Sequence, residues 1–188
     1  MTRTEAMQAD IDVGLRQYML RVYNYMASGL ALTGLVAAFV ASQPALVNAI
    51  FGSPLKWVVM LAPLGLVFFL SFRISSMSAG AAQATFWAYA ALNGVAFTTI
   101  FLAFTGTSIA RVFFIAAATF AAMSLYGYTT KKDLSGWGTF LFAGLIGIVV
   151  AGLVNIFLAS SALQFAISII VVLVFTGLTA YDTQMIKE

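Results

Sequence analysis

Six long hydrophobic stretches dominate the chain, and polar residues are concentrated between them. The stretches cover residues 23–42, 57–72, 85–104, 112–128, 139–158 and 163–181. An α-helix rises about 1.5 Å per residue, so about 20 residues cross a hydrocarbon core of about 30 Å. The second and fourth stretches are shorter and need flanking residues to cross. The pattern predicts an all-α polytopic membrane protein with six spans.

Short connections separate the stretches and predict how the spans are arranged. Pro44, Gly52 and Pro54 interrupt the chain after the first stretch, and Gly106 interrupts it after the third. Loops this short favour antiparallel helix hairpins. We therefore expect one transmembrane domain over residues 1–188, with six helices in residues 23–182 arranged as a helical bundle.

The segment 1–22 has an apolar stripe of its own. Ile11, Leu15, Tyr18 and Val22 follow helical spacing, with charged residues off the stripe. One interpretation is a cytoplasmic or interfacial helix lying on the membrane surface. The other is an early start to the first span, and the sequence does not separate the two.

Composition agrees with the pattern and narrows the chemistry. Hydrophobic residues make up 62% of the chain and charged residues 8%, against about 25% charged in soluble domains. With no Cys and no His, thiolate chemistry and the usual proton relay are absent. The net charge of +3 comes from nine basic residues scattered among loops. This scatter reflects membrane topology, so nucleic acid is not expected as a partner.

The basic residues predict the orientation of the chain. Seven fall on the side that holds both termini, namely Arg3, Arg16, Arg21, Arg73, Lys131, Lys132 and Lys187. Only Lys56 and Arg111 fall on the other side. By the positive-inside rule, both termini face the cytoplasm.

Rows of small residues, four apart, predict the packing faces. They lie on the first, third and fifth spans: Gly29, Thr33, Ala37 and Ala41; Ala90, Gly94 and Thr98; Ala143, Gly147, Ala151 and Asn155. Small residues let helix backbones approach closely in lipid. We expect a Leu to be worse tolerated at Gly147 than at Ile148.

Asn93 and Asn155 are read as buried near the middle of their helices, since an unpaired amide in lipid is costly. Each is expected to bond to another helix. Helix packing and a polar pathway through the protein are the two roles left open for them.

Two charges end spans at the same predicted depth. Arg73 ends the second span and Asp182 ends the sixth, and both spans run in the same direction. A pair of opposite charges lowers the cost of burying either one. The alternative is that both are solvated in the headgroup region, with Arg73 extended toward lipid phosphate.

No enzyme constellation is present in the sequence. Asp182 is the one acid within or at the edge of a span, and no His or Cys is available as base or nucleophile. We therefore expect no catalytic residues, no cofactor and no bound metal site.

Four segments in order along the chain resemble the Bax inhibitor-1 family. They are Val22–Tyr25 before a small-residue span, Lys131–Ser135 after the fourth span, Asn155–Phe157 at the end of the fifth, and Ala180–Gln184 at the end of the sixth. The last of these is the most specific. The resemblance extends over nearly the whole chain.

The resemblance implies a seven-helix fold, a bacterial inner (plasma) membrane and a pH-sensitive calcium leak. Asp182 and Arg73 correspond to the family's gating and pH-sensing pair. The family's second acid lies on a seventh helix, and this sequence stops at Glu188 before any such helix. We expect a truncated chain or a short variant, to which the two-carboxylate arrangement does not transfer.

Two functions remain at this stage. The first is a passive calcium or cation leak channel with weakly bound ions, since calcium prefers six to eight oxygen ligands and the spans offer few. The alternative is a membrane regulator that transports nothing and binds a membrane protease or stress-response partner. Ion flux in liposomes separates them.

Overall fold

The structure is a computed structural model that describes residues 3–187, with side chains described from residue 13 onward. Over this range the chain forms seven α-helices and one 3-10 turn, Ile74–Ser76. The helices are α1 Arg3–Ala41, α2 Pro44–Phe51, α3 Leu55–Arg73, α4 Ala79–Ala103, α5 Gly106–Thr129, α6 Ser135–Leu158 and α7 Ser161–Lys187. Six of them, all except α2, are long and apolar enough to cross a membrane. The prediction of an all-α polytopic membrane protein is confirmed.

The short helix α2 was not expected. Pro44 stands in its first turn, where the missing proline N–H is one that the helix leaves unbonded anyway. Gly52 ends the helix and donates its N–H to the Asn48 carbonyl at 2.9 Å. Pro44 and Gly52, which the sequence analysis took as interruptions of the chain, therefore mark the beginning and the end of a short helix between two spans.

Helix α1 is continuous for 39 residues and has no break at residue 22, where the sequence suggested a separate segment. Among the residues whose side chains are described, Val13–Ala41 of this helix is apolar and long enough to cross a membrane. Met19 is buried, whereas Tyr18 of the predicted stripe is exposed. Ile11 of the same stripe lies outside the residues whose side chains are described.

Small side chains are buried in the spans and large ones are exposed. Thr98 is fully buried and Ala37 and Ala90 nearly so, whereas Phe114, Phe157 and most other large apolar residues are exposed. This is the distribution expected of helices that pack closely and face lipid with their bulky side chains.

The chain divides into two compact units, one up to Ala110 and one from Arg111 onward. In the first unit α1 packs on α4 through two of the predicted small rows. The Thr33 hydroxyl donates to the Ala90 carbonyl at 2.8 Å. A Cβ built on Gly94 would lie 2.6 Å from the Thr33 carbonyl oxygen. Both rows are confirmed as packing faces, since their glycine and hydroxyl residues bring the two backbones together.

The second unit contains α6, α7 and most of α5. A Cβ on Gly138 would lie 2.5 Å from the Tyr181 ring, and one on Gly177 would lie 2.8 Å from Leu141. A Cβ on Gly127 of α5 would collide with the Ala180 carbonyl of α7. Glycines thus let both α5 and α6 approach α7 closely.

The predicted packing row on α6 is wrong at Ala143 and Gly147, which are exposed, although Asn155 at its end is buried. Gly147 is exposed and has no atom within 4 Å of the position that a Cβ would take. The buried residues of α6 are Gly138, Leu141 and Asn155. These residues lie on a stripe that also holds the half-buried Ile148. We therefore expect a Leu to be better tolerated at Gly147 than at Ile148, the reverse of the expectation from the sequence.

Candidate functional site

The candidate site lies at the end of the second unit where α5 ends, α6 begins and α7 ends. The α5–α6 loop, residues 130–134, holds the Lys-Lys-Asp-Leu stretch of one family-like segment. The last two turns of α7 hold the other, Tyr181-Asp182-Thr183-Gln184. The structure brings together two segments that are about fifty residues apart in the sequence.

Gln184 joins the two segments through both ends of its carboxamide. Its Oε1 accepts a hydrogen bond from the Leu134 N–H at 2.8 Å. Its Nε2 donates to the Lys132 carbonyl at 2.8 Å. The side chain is only 6% exposed. One buried amide therefore takes the place of the missing backbone partners in the loop; we call this pair of bonds the Gln184 bridge.

Lys187 ties the same end of α7 to α5. Its Nζ donates to the Tyr128 carbonyl at 2.9 Å, near the C-terminus of α5, and lies 5.6 Å from the centre of the Tyr128 ring. A cation at a helix C-terminus also interacts favourably with the helix dipole. The end of α7 is thus held to α5 by Lys187 and to the loop by Gln184.

Asp133 lies in the loop and bonds to Ser135, the first residue of α6. Its Oδ1 accepts a hydrogen bond from the Ser135 N–H at 2.8 Å. Hydrogen bonds from the Ser135 side chain and then from its backbone lower the pKa of the Asp133 carboxyl below its usual value. The side chain is exposed and stays ionised at neutral pH, where its charge stabilises the start of α6.

Asp182 stands beside these connections without taking part in them. Its neighbours Ala180, Thr183 and Gln184 are buried, whereas Asp182 itself is exposed. Within the described part of the second unit, its carboxylate has no hydrogen-bond or ion-pair partner. One face of the end of α7 is therefore buried, while the Asp182 carboxyl group lies on an exposed face.

Arg73 belongs to the first unit, at the last residue of α3. Its carbonyl accepts a bond from the Ser76 hydroxyl at 2.9 Å, which closes the 3-10 turn after α3. The side chain is exposed, and among the described residues of its own unit the guanidinium has no partner. The pairing of Arg73 with Asp182 remains a prediction.

Asn155 lies three residues from the end of α6, not near the middle of the helix as the sequence analysis placed it. Its Nδ2 donates to Gln164 Oε1 at 3.0 Å, and its Oδ1 accepts from the Ser160 N–H at 3.1 Å. These bonds stabilise the tight turn in which Ala159 takes a left-handed conformation, with φ of 48°. The residue joins α6 to α7 at the end remote from Asp182.

Asn93 does lie in the middle of its helix, α4, and is half-buried. Its Nδ2 donates to the Tyr89 carbonyl of the same helix at 2.9 Å. The sequence analysis expected Asn93 to bond to another helix, whereas the observed bond lies within α4. Whether either asparagine contributes to a polar pathway remains a prediction.

Ser124 of α5 is a further polar position that the sequence analysis did not single out. Its side chain is buried, and among the described residues its Oγ is the one buried side-chain oxygen or nitrogen without a hydrogen-bond partner. Buried hydroxyls in proteins are normally bonded to protein or to water. Ser124 is on the same face of α5 as Gly127, the position of close approach to α7.

The described residues contain no group of three or more His, Cys, Asp or Glu side chains placed to hold a metal ion. Gln184 and Lys187 were also missed by the sequence analysis. The signal for Gln184 was present, since a polar amide within a membrane-length helix must find partners. Its partners, however, are backbone groups of a distant loop, which no pattern of side chains reveals.

Comparison with known proteins settles the family. The family model described as "Inhibitor of apoptosis-promoting Bax1" matches residues 15–188, which is most of the chain and includes both segments joined by the Gln184 bridge. This chain belongs to the Bax inhibitor-1 family. The recognition made from the motifs is confirmed.

Relatives of this chain occur in diverse bacteria, and some of them are named as membrane proteins. The inner membrane protein YbhL of Escherichia coli K12 is 48% identical over 176 residues, covering 93% of this chain and 75% of YbhL. The uncharacterized protein RP147 of Rickettsia prowazekii is 47% identical over 185 residues, covering 98% of this chain and 78% of RP147. An uncharacterized membrane protein of Streptococcus pyogenes serotype M3 is 37% identical over 180 residues, 94% of this chain and 78% of that protein. No solved structure is significantly similar to the chain.

Proposed function

We propose that this member of the Bax inhibitor-1 family is a cation leak channel that passes calcium, gated by the pair Arg73 and Asp182. Its location in this proposal is a bacterial inner membrane, as the name of YbhL states for that relative. Both termini face the cytoplasm, on the distribution of basic residues. The protein carries out no enzymatic reaction.

The observation that carries this proposal is the placement of Asp182. Ionisable residues within membrane-spanning helices are rare and are paired or functional. Asp182 is exposed and has no partner within its own unit, although the three buried neighbours on α7 are well packed. A carboxylate retained there without a packing role needs a partner or a function elsewhere.

Arg73 is the matching charge. It ends α3, and its guanidinium also lacks a partner among the described residues of the first unit. A charge-assisted bond between the two would satisfy both groups. Protonation of Asp182 would remove the negative charge and weaken the bond, which gives acid a way to open the channel.

Ser124 supports a polar route through the second unit. Its buried hydroxyl has no protein partner among the described residues, so water or a passing cation is the remaining partner. A single hydroxyl binds calcium weakly, since calcium prefers six to eight oxygen ligands. Weak binding is what a leak requires, because an ion that binds tightly does not leave.

Ion flux into liposomes tests the proposal. Purified protein would be reconstituted with an internal calcium dye and assayed across a pH series as the parent, Asp182→Asn, Arg73→Ala and the double variant. We expect each single variant to raise the flux near neutral pH and the double variant to add little, because both changes break one interaction. Asp182→Asn should also lose most of its response to acid, since the substitution removes the same charge as protonation.

A matched control uses Asp133, a further acid of the second unit. Asp133→Asn keeps the hydrogen-bond acceptor for Ser135 and should leave the flux and its pH response unchanged. A charge-swapped protein with Arg73→Asp and Asp182→Arg should recover low flux. Flux no higher than empty liposomes in the parent and all variants would reject the channel and favour a regulator that transports nothing. Additive effects of the two single changes would reject the pairing.

A further inference from the structure

An open groove lies on the second unit beside the α5–α6 loop, between the last turns of α5, the first turns of α6 and the second half of α7. Its volume is about 390 Å³, and its lining is almost wholly apolar. Sites for small ligands commonly enclose about 300–1,000 Å³. The side chains that shape it most are Tyr126, Trp137, Phe140, Leu173 and Tyr181.

The groove has a fixed floor and an aromatic rim. The Tyr181 ring packs on α6 at Gly138, where a Cβ would lie only 2.5 Å from the ring. Trp137 and Phe140 form an edge-to-face pair with ring centres 6.2 Å apart, and both remain more than half exposed. Trp and Tyr are enriched at the depth of lipid headgroups, where one part of the ring is apolar and the other is wet.

Two lysines stand at the loop end of the groove. Leu134 lines the groove, and Lys131 and Lys132 precede it by three and two residues. The Gln184 bridge bonds the backbone on both sides of Asp133 to α7, so this part of the loop is held in place. Both lysine side chains are exposed, and within the described part of the second unit neither ammonium has an ion-pair partner.

The nearest acid in the sequence, Asp133, forms no ion pair with either lysine among the described residues. The Asp133 carboxylate accepts the Ser135 N–H at 2.8 Å and is directed to the start of α6. Lys187, the other cation at this end, already donates to the Tyr128 carbonyl. The groove therefore combines an apolar channel, an aromatic rim and two unpaired positive charges at one end.

We infer that this groove binds an anionic phospholipid, with one acyl chain in the apolar channel and the headgroup phosphate on Lys131 and Lys132. In a membrane-spanning unit, lipid is the apolar material that an open groove meets. Basic clusters beside a transmembrane helix attract anionic headgroups, at about 1 kcal/mol per Lys or about fivefold each. A zwitterionic lipid would gain less from the two ammonium groups. This inference does not depend on the channel function.

Fluorescence of Trp137 tests the inference directly, because that side chain lies on the rim. The chain has three tryptophans, so Trp57→Phe and Trp87→Phe leave Trp137 as the sole emitter. The protein would be placed in vesicles with chain-brominated phosphatidylglycerol or chain-brominated phosphatidylcholine, each diluted in unlabelled lipid. We expect half-maximal quenching at a mole fraction of the anionic lipid up to about 25-fold lower than that of the zwitterionic lipid, at about fivefold for each lysine.

Charge variants in the single-tryptophan background complete the test. Lys131→Gln with Lys132→Gln should abolish the preference for the anionic lipid, and Lys131→Arg with Lys132→Arg should retain it. Lys56→Gln, a lysine of the first unit whose Nζ lies 5.6 Å from the Trp57 ring in the parent, should change nothing. Equal quenching by both lipids, or a preference that survives the glutamine pair, would overturn the inference. Weak quenching by both lipids would also overturn it, since protein and not lipid would then cover the groove.

Discussion

The side chain of Gln184 bonds one backbone donor and one backbone acceptor of the α5–α6 loop. Neither group has a partner in a helix or a sheet. Loops within reach of the hydrocarbon region are costly when their backbone groups lack partners. The Gln184 bridge removes that cost at Lys132 and Leu134. It also fixes α7 at residues directly beside Asp182, so the proposed gate lies on a well-held helix end.

Replacing Gln184 with Leu should release the loop while leaving α7 apolar and of similar bulk. The Leu134 N–H and the Lys132 carbonyl would lose their partners, at about 1–3 kcal/mol for each group that stays buried. We expect amide hydrogen exchange at Leu134 to become about tenfold faster or more. Gln83→Leu, at an exposed position of α4, is the matched control and should leave that exchange rate unchanged. Unaltered exchange at Leu134 in Gln184→Leu would show that the loop holds its shape by other contacts.

Asp133 gives a pH dependence whose sign follows from its hydrogen bonds. Its pKa is lower in the folded protein than its usual value, so its stabilising effect is complete above the usual carboxyl pKa of about 3.9. That effect is lost as pH falls through the lowered pKa. The measurement is the rate of amide hydrogen exchange at Ser135 in the parent, divided by the rate in Asp133→Asn at the same pH. This ratio should stay constant from neutral pH to about 4 and rise below it. A rise near neutral pH would mean that Asp133 is itself a sensor of physiological pH.

Charged side chains were easier to single out from the sequence than side chains that hydrogen-bond to distant backbone groups. Arg73 and Asp182 stand out in the sequence because ionisable residues are rare in long apolar stretches, and their pairing remains a prediction. Gln184 and Lys187 do not, since their partners are carbonyl and N–H groups that every residue possesses. The position of Asn155 was misjudged for a related reason, because its role depends on a turn at residues 159–160 that hydropathy does not resolve.

At the level of helices, hydropathy located all six spans, and the structure extends most of them by a few residues. Polar residues can continue a helix beyond its apolar stretch, as in α7, so the apolar stretch sets only a minimum length. Spacing by four identified the faces of α1 and α4 that touch. It failed on α6, where Gly138 and Leu141 pack on Tyr181 and Gly177 at a different angle round the helix.

A pair of substitutions on α6 tests which of its faces packs. Gly138→Leu would push a side chain into the Tyr181 ring, and overpacking of this kind costs about 1–3 kcal/mol. Gly147→Leu meets open space and replaces a residue whose helix propensity is about 1 kcal/mol worse than that of Ala. We expect the first change to reduce the fraction that stays monodisperse after heating in detergent, and the second to leave it unchanged or raise it. Comparable losses in both variants would restore the row through Gly147 as a packing face.

For the molecule as a whole, Arg73 and Asp182 can pair only if both side chains lie at the same depth in the membrane. Arg73 ends α3 in the first unit and Asp182 lies near the end of α7 in the second. Counting spans from α1, both helices cross in the same direction, which would bring the two charges to one side. Because seven of nine basic residues fall on that side, the positive-inside rule predicts that it faces the cytoplasm.

Cysteine labelling tests this topology without background, because the chain has no native Cys. Thr2→Cys and Ser75→Cys should react with a membrane-impermeant maleimide only when the cytoplasmic face of sealed vesicles is outside. Ser108→Cys, at an exposed residue in the first turn of α5, should react only in vesicles of the opposite orientation. Agreement between positions 2 and 75 checks that the chain crosses the membrane twice between them, through α1 and α3. Labelling of positions 75 and 108 from the same side would mean that α4 does not cross, and Arg73 and Asp182 would then lose their common depth and the proposed gate its physical basis.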